Sequence, residues 1–157
     1  MRHGPVLMLI VTAALLAAAA GCGDDGPQQV TAQELVAQGD ARCKEGQDQF
    51  NEIQQTALRN ANDAADQTRD LIDAANDELN DLRDLVPPDE LAAAYDAYLD
   101  ARVRAIEVFK QGLDAAEHDD DKAYVDAQAR AAAGAAQRQK LAAAVGFKVC
   151  SAPTDKK

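Results

Sequence analysis

The stretch TRDLIDAANDELNDLRDLVPP, residues 68–88, decides the fold. Its apolar or small positions Thr68, Leu71, Ile72, Ala75, Leu79, Leu82 and Val86 recur every three or four residues, the period of a helix with one buried face. A strand would alternate every second residue, and this stretch does not. The helix has to stop at Pro87-Pro88, because proline lacks an amide hydrogen and disfavours helical backbone in the residue before it.

The same period extends outward in both directions. Upstream, Thr31-Ala32-Gln33-Glu34 has the spacing of a capping box and opens a first helix. Its inward seam runs Val36, Gly39, Cys43, Gly46, Phe50, Ile53 and Ala57. Residues 57–66 hold neither Gly nor Pro, yet one uninterrupted rod would be too long to pack against its neighbours, so a break is expected near Arg59–Asn62. Downstream, a third helix starts at Pro88 or Asp89 and turns Leu91, Tyr95, Tyr98, Leu99, Ile106, Phe109 and Leu113 inward, until the turn at Glu117–Asp121. A fourth carries Tyr124, Ala127, Ala131, Gly134, Leu141 and Val145 and ends at Gly146. The expected fold class is all-α, an antiparallel up-down four-helix bundle with one disulfide over residues 31–150, followed by a polar tail, 151–157. Gly39, Gly46 and the alanines of the fourth helix are expected to let backbones approach closely.

Composition narrows the chemistry. The chain has 157 residues, 27 acidic against 16 basic and a net charge of −11, so a polyanion is repelled and nucleic acid is excluded as a partner. After residue 21 there is one serine, Ser151, and one histidine, His118, which leaves no Ser-His-Asp or Cys-His system to assemble. Glu-x-x-His pairs for a dinuclear metal bundle are absent, as are Cys/His zinc spacings and glycine-rich phosphate loops. The expectation is a non-enzyme with no cofactor and no metal site.

The amino terminus reads as an address. Met1-Arg2-His3 is a short basic start and Val6–Ala20 an apolar run of 15 residues, too short to span a membrane but right for a signal-peptide core. It ends in Ala19-Ala20-Gly21-Cys22, which resembles the lipobox of bacterial lipoproteins, although Ala19 stands where leucine is usual. That resemblance implies cleavage of residues 1–21, a diacylglyceryl group on Cys22 and residence at the outer face of the cytoplasmic membrane. Residues 22–30 then form the lipidated cysteine and a polar, Gly- and Pro-containing tether. The remaining chain has a net charge of −12 and should stand off an anionic membrane surface.

With Cys22 lipidated, Cys43 and Cys150 are an even pair in an oxidising compartment, and one disulfide is the expected arrangement, with two buried free thiols as the alternative. Closing a loop of that size removes about 4.7 kcal/mol of chain entropy from the unfolded state.

Two further features stand out. Asp63, Asp66, Asp70, Asp73, Asp77, Asp81 and Asp84 form a ridge on the second helix, opposite its leucines. It reads as a solvated face, or as a weak divalent-cation or basic-partner surface, since carboxylates on a straight helix cannot wrap an ion. Arg102 and Arg138 fall within the seams of the third and fourth helices at about one level. With Tyr98 they could line an anion or small-acid pocket, or else lie at seam edges with their guanidinium groups in solvent.

As a whole the chain resembles the small, acidic, Ala-rich helical lipoproteins of high-GC Gram-positive bacteria, which have a cysteine early in the first helix and another after a closing Gly-Phe, here Gly146-Phe147-Lys148-Val149-Cys150. The resemblance brings no catalytic residues. The expected function is a membrane-anchored, non-catalytic interaction or envelope-support module with an envelope protein or wall partner. A small-ligand, anion or weak-cation binder is the alternative.

Overall fold

The computed structural model describes residues 28–153. The signal segment, Cys22 and most of the tether lie outside that range, as does the end of the polar tail. Within it the chain is helical throughout, in five segments: α1 (Ala32–Ile53), α2 (Ala61–Arg83), α3 (Asp89–Glu117), α4 (Asp121–Ala133) and α5 (Ala135–Val145).

α1 begins at the capping box. The Thr31 hydroxyl accepts from the Glu34 amide at 3.2 Å, and the Thr31 amide donates back to the Glu34 carboxylate at 2.9 Å. The helix ends at Ile53, several residues before the expected break, and Ala57 lies exposed in the connection rather than in the core. A side chain explains the early stop. Gln67 of α2 donates to the carbonyls of Ile53 and Thr56, at 3.1 and 3.0 Å, and so satisfies acceptors at the end of α1 that a longer helix would have used itself. Asn60 then caps α2 by accepting from the Asp63 amide at 2.9 Å.

α2 stops at the prolines, as the sequence requires, and the corner it makes with α3 is tied from two sides. The Tyr95 hydroxyl donates to the Leu82 carbonyl. From outside, the Val30 amide donates to the Val86 carbonyl at 2.9 Å, and the Gln29 side chain donates to the Pro87 carbonyl and the Asp89 carboxylate. The last two residues of the expected tether are therefore docked on the body.

α3 is the central element and packs against α2, α4 and α5. It meets α4 at a turn where Asp119 takes a positive φ of 52°, a conformation that Asp tolerates better than most residues, and Asp120 caps the next helix. The expected fourth helix is split by Gly134, which intervenes between α4 and α5. Glycine is a poor helix former, and here the Arg138 guanidinium donates to the Ala131 carbonyl at 3.3 Å, entering the ladder one turn before the split.

The core runs through the bundle in three patches. Ala64, Ala65 and Ala116 meet at one end, Ile72, Leu79 and Ile106 in the middle, and Leu35, Leu82, Tyr95, Tyr98, Ala142, Val145 and Phe147 at the other. Leu35 is fully buried although the seam reading favoured its neighbour Val36, which is half-buried.

Phe147 organises the last patch. Gly146 takes a φ of 104°, where a Cβ would be strained, and the chain turns back toward α1. The Phe147 ring packs edge-on against Tyr98 and Tyr95, with centroids 5.5 and 6.1 Å apart, and its far side fills the notch at Gly39. Just beyond it the Asp40 carboxylate accepts from the amides of Lys148 and Val149 at 2.8 to 3.0 Å, and Cys150 joins Cys43 with a Cα–Cα separation of 5.3 Å. The expected role of the helix glycines is thereby corrected. Gly39 makes room for a ring and Gly46 for the Glu78 carboxylate, so side chains rather than a helix backbone occupy both notches.

A Cβ on residue 39 would stand 2.3 Å from the Phe147 ring, which is pinned by two tyrosines and cannot swing aside. Gly39→Ala should therefore destabilise the protein by about 1–3 kcal/mol through overpacking, despite a gain of about 1 kcal/mol in helix propensity. Thermal melts by circular dichroism check this.

Candidate functional site

Charge inside the bundle is concentrated where α2, α3 and α5 meet. Glu78 lies on the inward face of α2, seven residues from Leu71 and four from Leu82, which places it among leucines. Its side chain is 9% exposed and forms an ion pair with the Arg102 guanidinium from α3. The absence of a Cβ at Gly46 leaves room for the carboxylate on the α1 side. Burial pushes the Glu78 carboxyl above the ordinary glutamate value, against the pull of Arg102 and, more weakly, Arg138.

The expected trio of Tyr98, Arg102 and Arg138 does share one neighbourhood, but it does not form an open pocket. Tyr98 is 1% exposed and its hydroxyl donates to the Cys43 sulfur at 3.4 Å. Burial pushes the phenol up to about 12, with Glu78 adding to the shift and both arginines opposing it. Arg102 is neutralised by Glu78. Arg138 is half-buried with no carboxylate in ion-pair contact among the described residues, and its pKa is lowered by desolvation and by the like charge of Arg102. It is thus half-buried on a groove open to the surface, which agrees with a seam-edge position better than with an enclosed pocket shared with Tyr98.

The aspartate ridge is less uniform than its spacing suggests. Asp63 is held by Arg59 at 2.9 Å, Asp66 by Arg69 at 2.8 Å, and Asp81 lies 3.5 Å from Arg42 of α1. Arg69 also reaches Glu117 at the far end of α3, at 2.9 Å. Asp70, Asp73, Asp77 and Asp84 remain exposed and make no ion pair among the described residues. Of the ridge, only Asp81 is tied to a neighbouring helix, Asp63 and Asp66 pair locally, and the rest faces water. Among the described residues no group of three His, Cys, Asp or Glu side chains is placed to hold a metal ion.

Cys43 and Cys150 are bonded as expected, across 107 residues of sequence. Cys22 lies outside the described residues. Sequence reasoning missed Glu78, although its spacing from Leu71 and Leu82 was a usable signal. Asp40 and Phe147 had no periodic signal, because their partners lie more than a hundred residues away in sequence.

No protein-family model matches this chain, and neither does any curated protein or solved structure.

The buried pair gives a prediction with a defined pH dependence. Arg102→Met leaves the Glu78 carboxylate buried without its main cation and should cost about 3 kcal/mol at pH 7. A carboxyl whose folded-state pKa is raised binds its proton more tightly when folded, so stability falls as pH rises above the ordinary value of 4.5 and returns below it. The deficit of the variant should therefore shrink at pH 4, as read by urea denaturation at both pH values.

Proposed function

We propose that this protein is a lipid-anchored, non-catalytic interaction or envelope-support module at the outer face of the cytoplasmic membrane, with its helices running alternately up and down. The observation that carries the reading is the Cys43–Cys150 bond, because a disulfide of this kind persists in an oxidising, extracytoplasmic compartment and not in a reducing cytosol. The apolar run ending in Ala19-Ala20-Gly21-Cys22 supplies the route to that compartment and the point of acylation. Two acyl chains on one cysteine are enough for stable anchoring, whereas one is marginal.

The body supports a role exercised from its surface. Tyr95, Tyr98, Phe147, Leu35 and Leu82 are fully buried and fill the interior, and the groove lined by α3, α4 and α5 opens to the surface. The alternating direction is supported by the short α2–α3 connection and by side-chain contacts at matching levels: Leu82 with Tyr95 near the corner, Glu78 with Arg102 midway, and Arg69 with Glu117 at the far end. Contacts that move outward along both helices from a tight corner are those of an antiparallel pair.

Replacing Cys22 with Ala should release the protein into the medium or leave its signal uncleaved, as checked by cell fractionation and intact mass. A processed variant that stays wholly in the membrane fraction contradicts the anchoring. Crosslinking in intact cells should capture an envelope protein or wall fragment with the wild type and lose it with the released variant.

A further inference from the structure

One groove of this acidic protein is lined by arginines. A groove of about 150 Å³ runs between α3 and the α4–α5 pair, and Arg104, Arg130 and Arg138 line it without a single acidic side chain among the lining residues. Ala105 and Val108 of α3 and Ala131 of α4 form its apolar floor. None of the three arginines is in an ion pair among the described residues, although most cations elsewhere on the helices are paired at 2.6 to 3.9 Å. In a chain with 27 acidic residues and 16 basic ones, three unneutralised guanidinium groups on one groove are not an average draw of the surface.

Neutral neighbours hold two of them in place. Arg130 donates to the Gln111 side chain at 2.5 Å and to the Asp126 carbonyl at 3.4 Å, which positions the guanidinium without an ion-pair contact, although the Asp126 carboxylate lies near enough to feel its charge. Arg138 donates to the Ala131 carbonyl, and its guanidinium occupies space that a Cβ on Gly134 would take, 2.8 Å away. Behind the groove, Glu78 is already paired with Arg102, so it does not neutralise Arg138 by direct contact. Arg138 already feels the like charge of Arg102, and an anion in the groove would offset it.

We propose that this groove binds a phosphate group. Three guanidinium groups, each a planar fork of N–H donors, match an oxyanion with several acceptor oxygens and more charge than one carboxylate holds. The apolar floor leaves room for a short hydrocarbon part beside the phosphate. This inference goes beyond the anchored-module reading and does not depend on it, since it concerns only residues of the folded body.

The test is calorimetric titration of the full-length chain in neutral detergent with two probes, inorganic phosphate and dihexanoyl phosphatidylglycerol below its micelle concentration. Saturable binding is expected and should weaken by about tenfold for each arginine removed in Arg104→Gln and in the Arg104→Gln/Arg130→Gln double variant. Both side chains are exposed, so the fold should survive, as circular dichroism will verify. Arg83→Gln, an exposed arginine at the end of α2 and away from the groove, should bind as the wild type does. Tighter binding of the glycerol ester supports the site with a lipid headgroup as its source, and tighter binding of inorganic phosphate supports it with a free oxyanion. If neither probe saturates at millimolar concentration, or if the double variant binds as well as the wild type, the proposal is overturned.

Discussion

Phe147 must sit where Gly39 has no side chain, and the closure of the molecule follows from that contact. α1 brings little apolar bulk of its own. Of its four buried positions, Leu35, Gly39, Cys43 and Gly46, two are glycines, so the helix offers notches more than knobs. A helix of this kind gains little from packing unless something fills the notches. The segment after α5 fills the Gly39 notch and ties α1 twice more within four residues: the ring of Phe147 enters at Gly39, the amides of Lys148 and Val149 bind the Asp40 carboxylate, and Cys150 bonds to Cys43. Burying the ring alone is worth about 2–3 kcal/mol. The disulfide adds stability chiefly by restricting the unfolded chain.

The second organising contact is electrostatic and lies on the other notch. Gly46 admits the Glu78 carboxylate, which draws Arg102 inward and sets the level at which α2 and α3 meet. A buried ion pair is a poor source of net stability, because both charges lose their water. Its effect is on register: sliding α2 against α3 by one turn would strand the carboxylate among leucines. Arg138, drawn toward the same carboxylate but left without direct contact, is directed instead to the Ala131 carbonyl, and the helix splits there at Gly134. Arg138 thereby lies on the groove between α3 and the α4–α5 pair.

Much of this was legible in the residues. Periods of three and four placed Leu71, Leu79, Leu82, Tyr95, Tyr98 and Ile106 in the core, the Thr31–Glu34 spacing marked the start of α1, and cysteine arithmetic gave the disulfide. The early end of α1 was not legible, because it depends on a single side chain, Gln67, reaching back across the connection. Phe147 lies after the last helix, where periodicity has nothing to say, and its burial depends on a glycine 108 positions earlier. Glu78 was hidden for a different reason. Among so many acidic residues one inward carboxylate looks like part of the ridge until its phase is compared with that of the leucines. Arg102 and Arg138 were found as interior cations, but their partners were not, so the expected pocket with Tyr98 became an ion pair, a sulfur contact and a separate groove.

The segment after α5, more than the side chains of α1, holds α1 to the rest of the protein. Hydrogen exchange followed by mass spectrometry, on the oxidised protein and after reduction of the Cys43–Cys150 bond, tests it most directly. Reduction should strip protection first from residues 32–53 and 146–150, while α2 and α3 keep theirs. Loss spread evenly over α1, α2 and α3, or an α1 as protected after reduction as before, would contradict it.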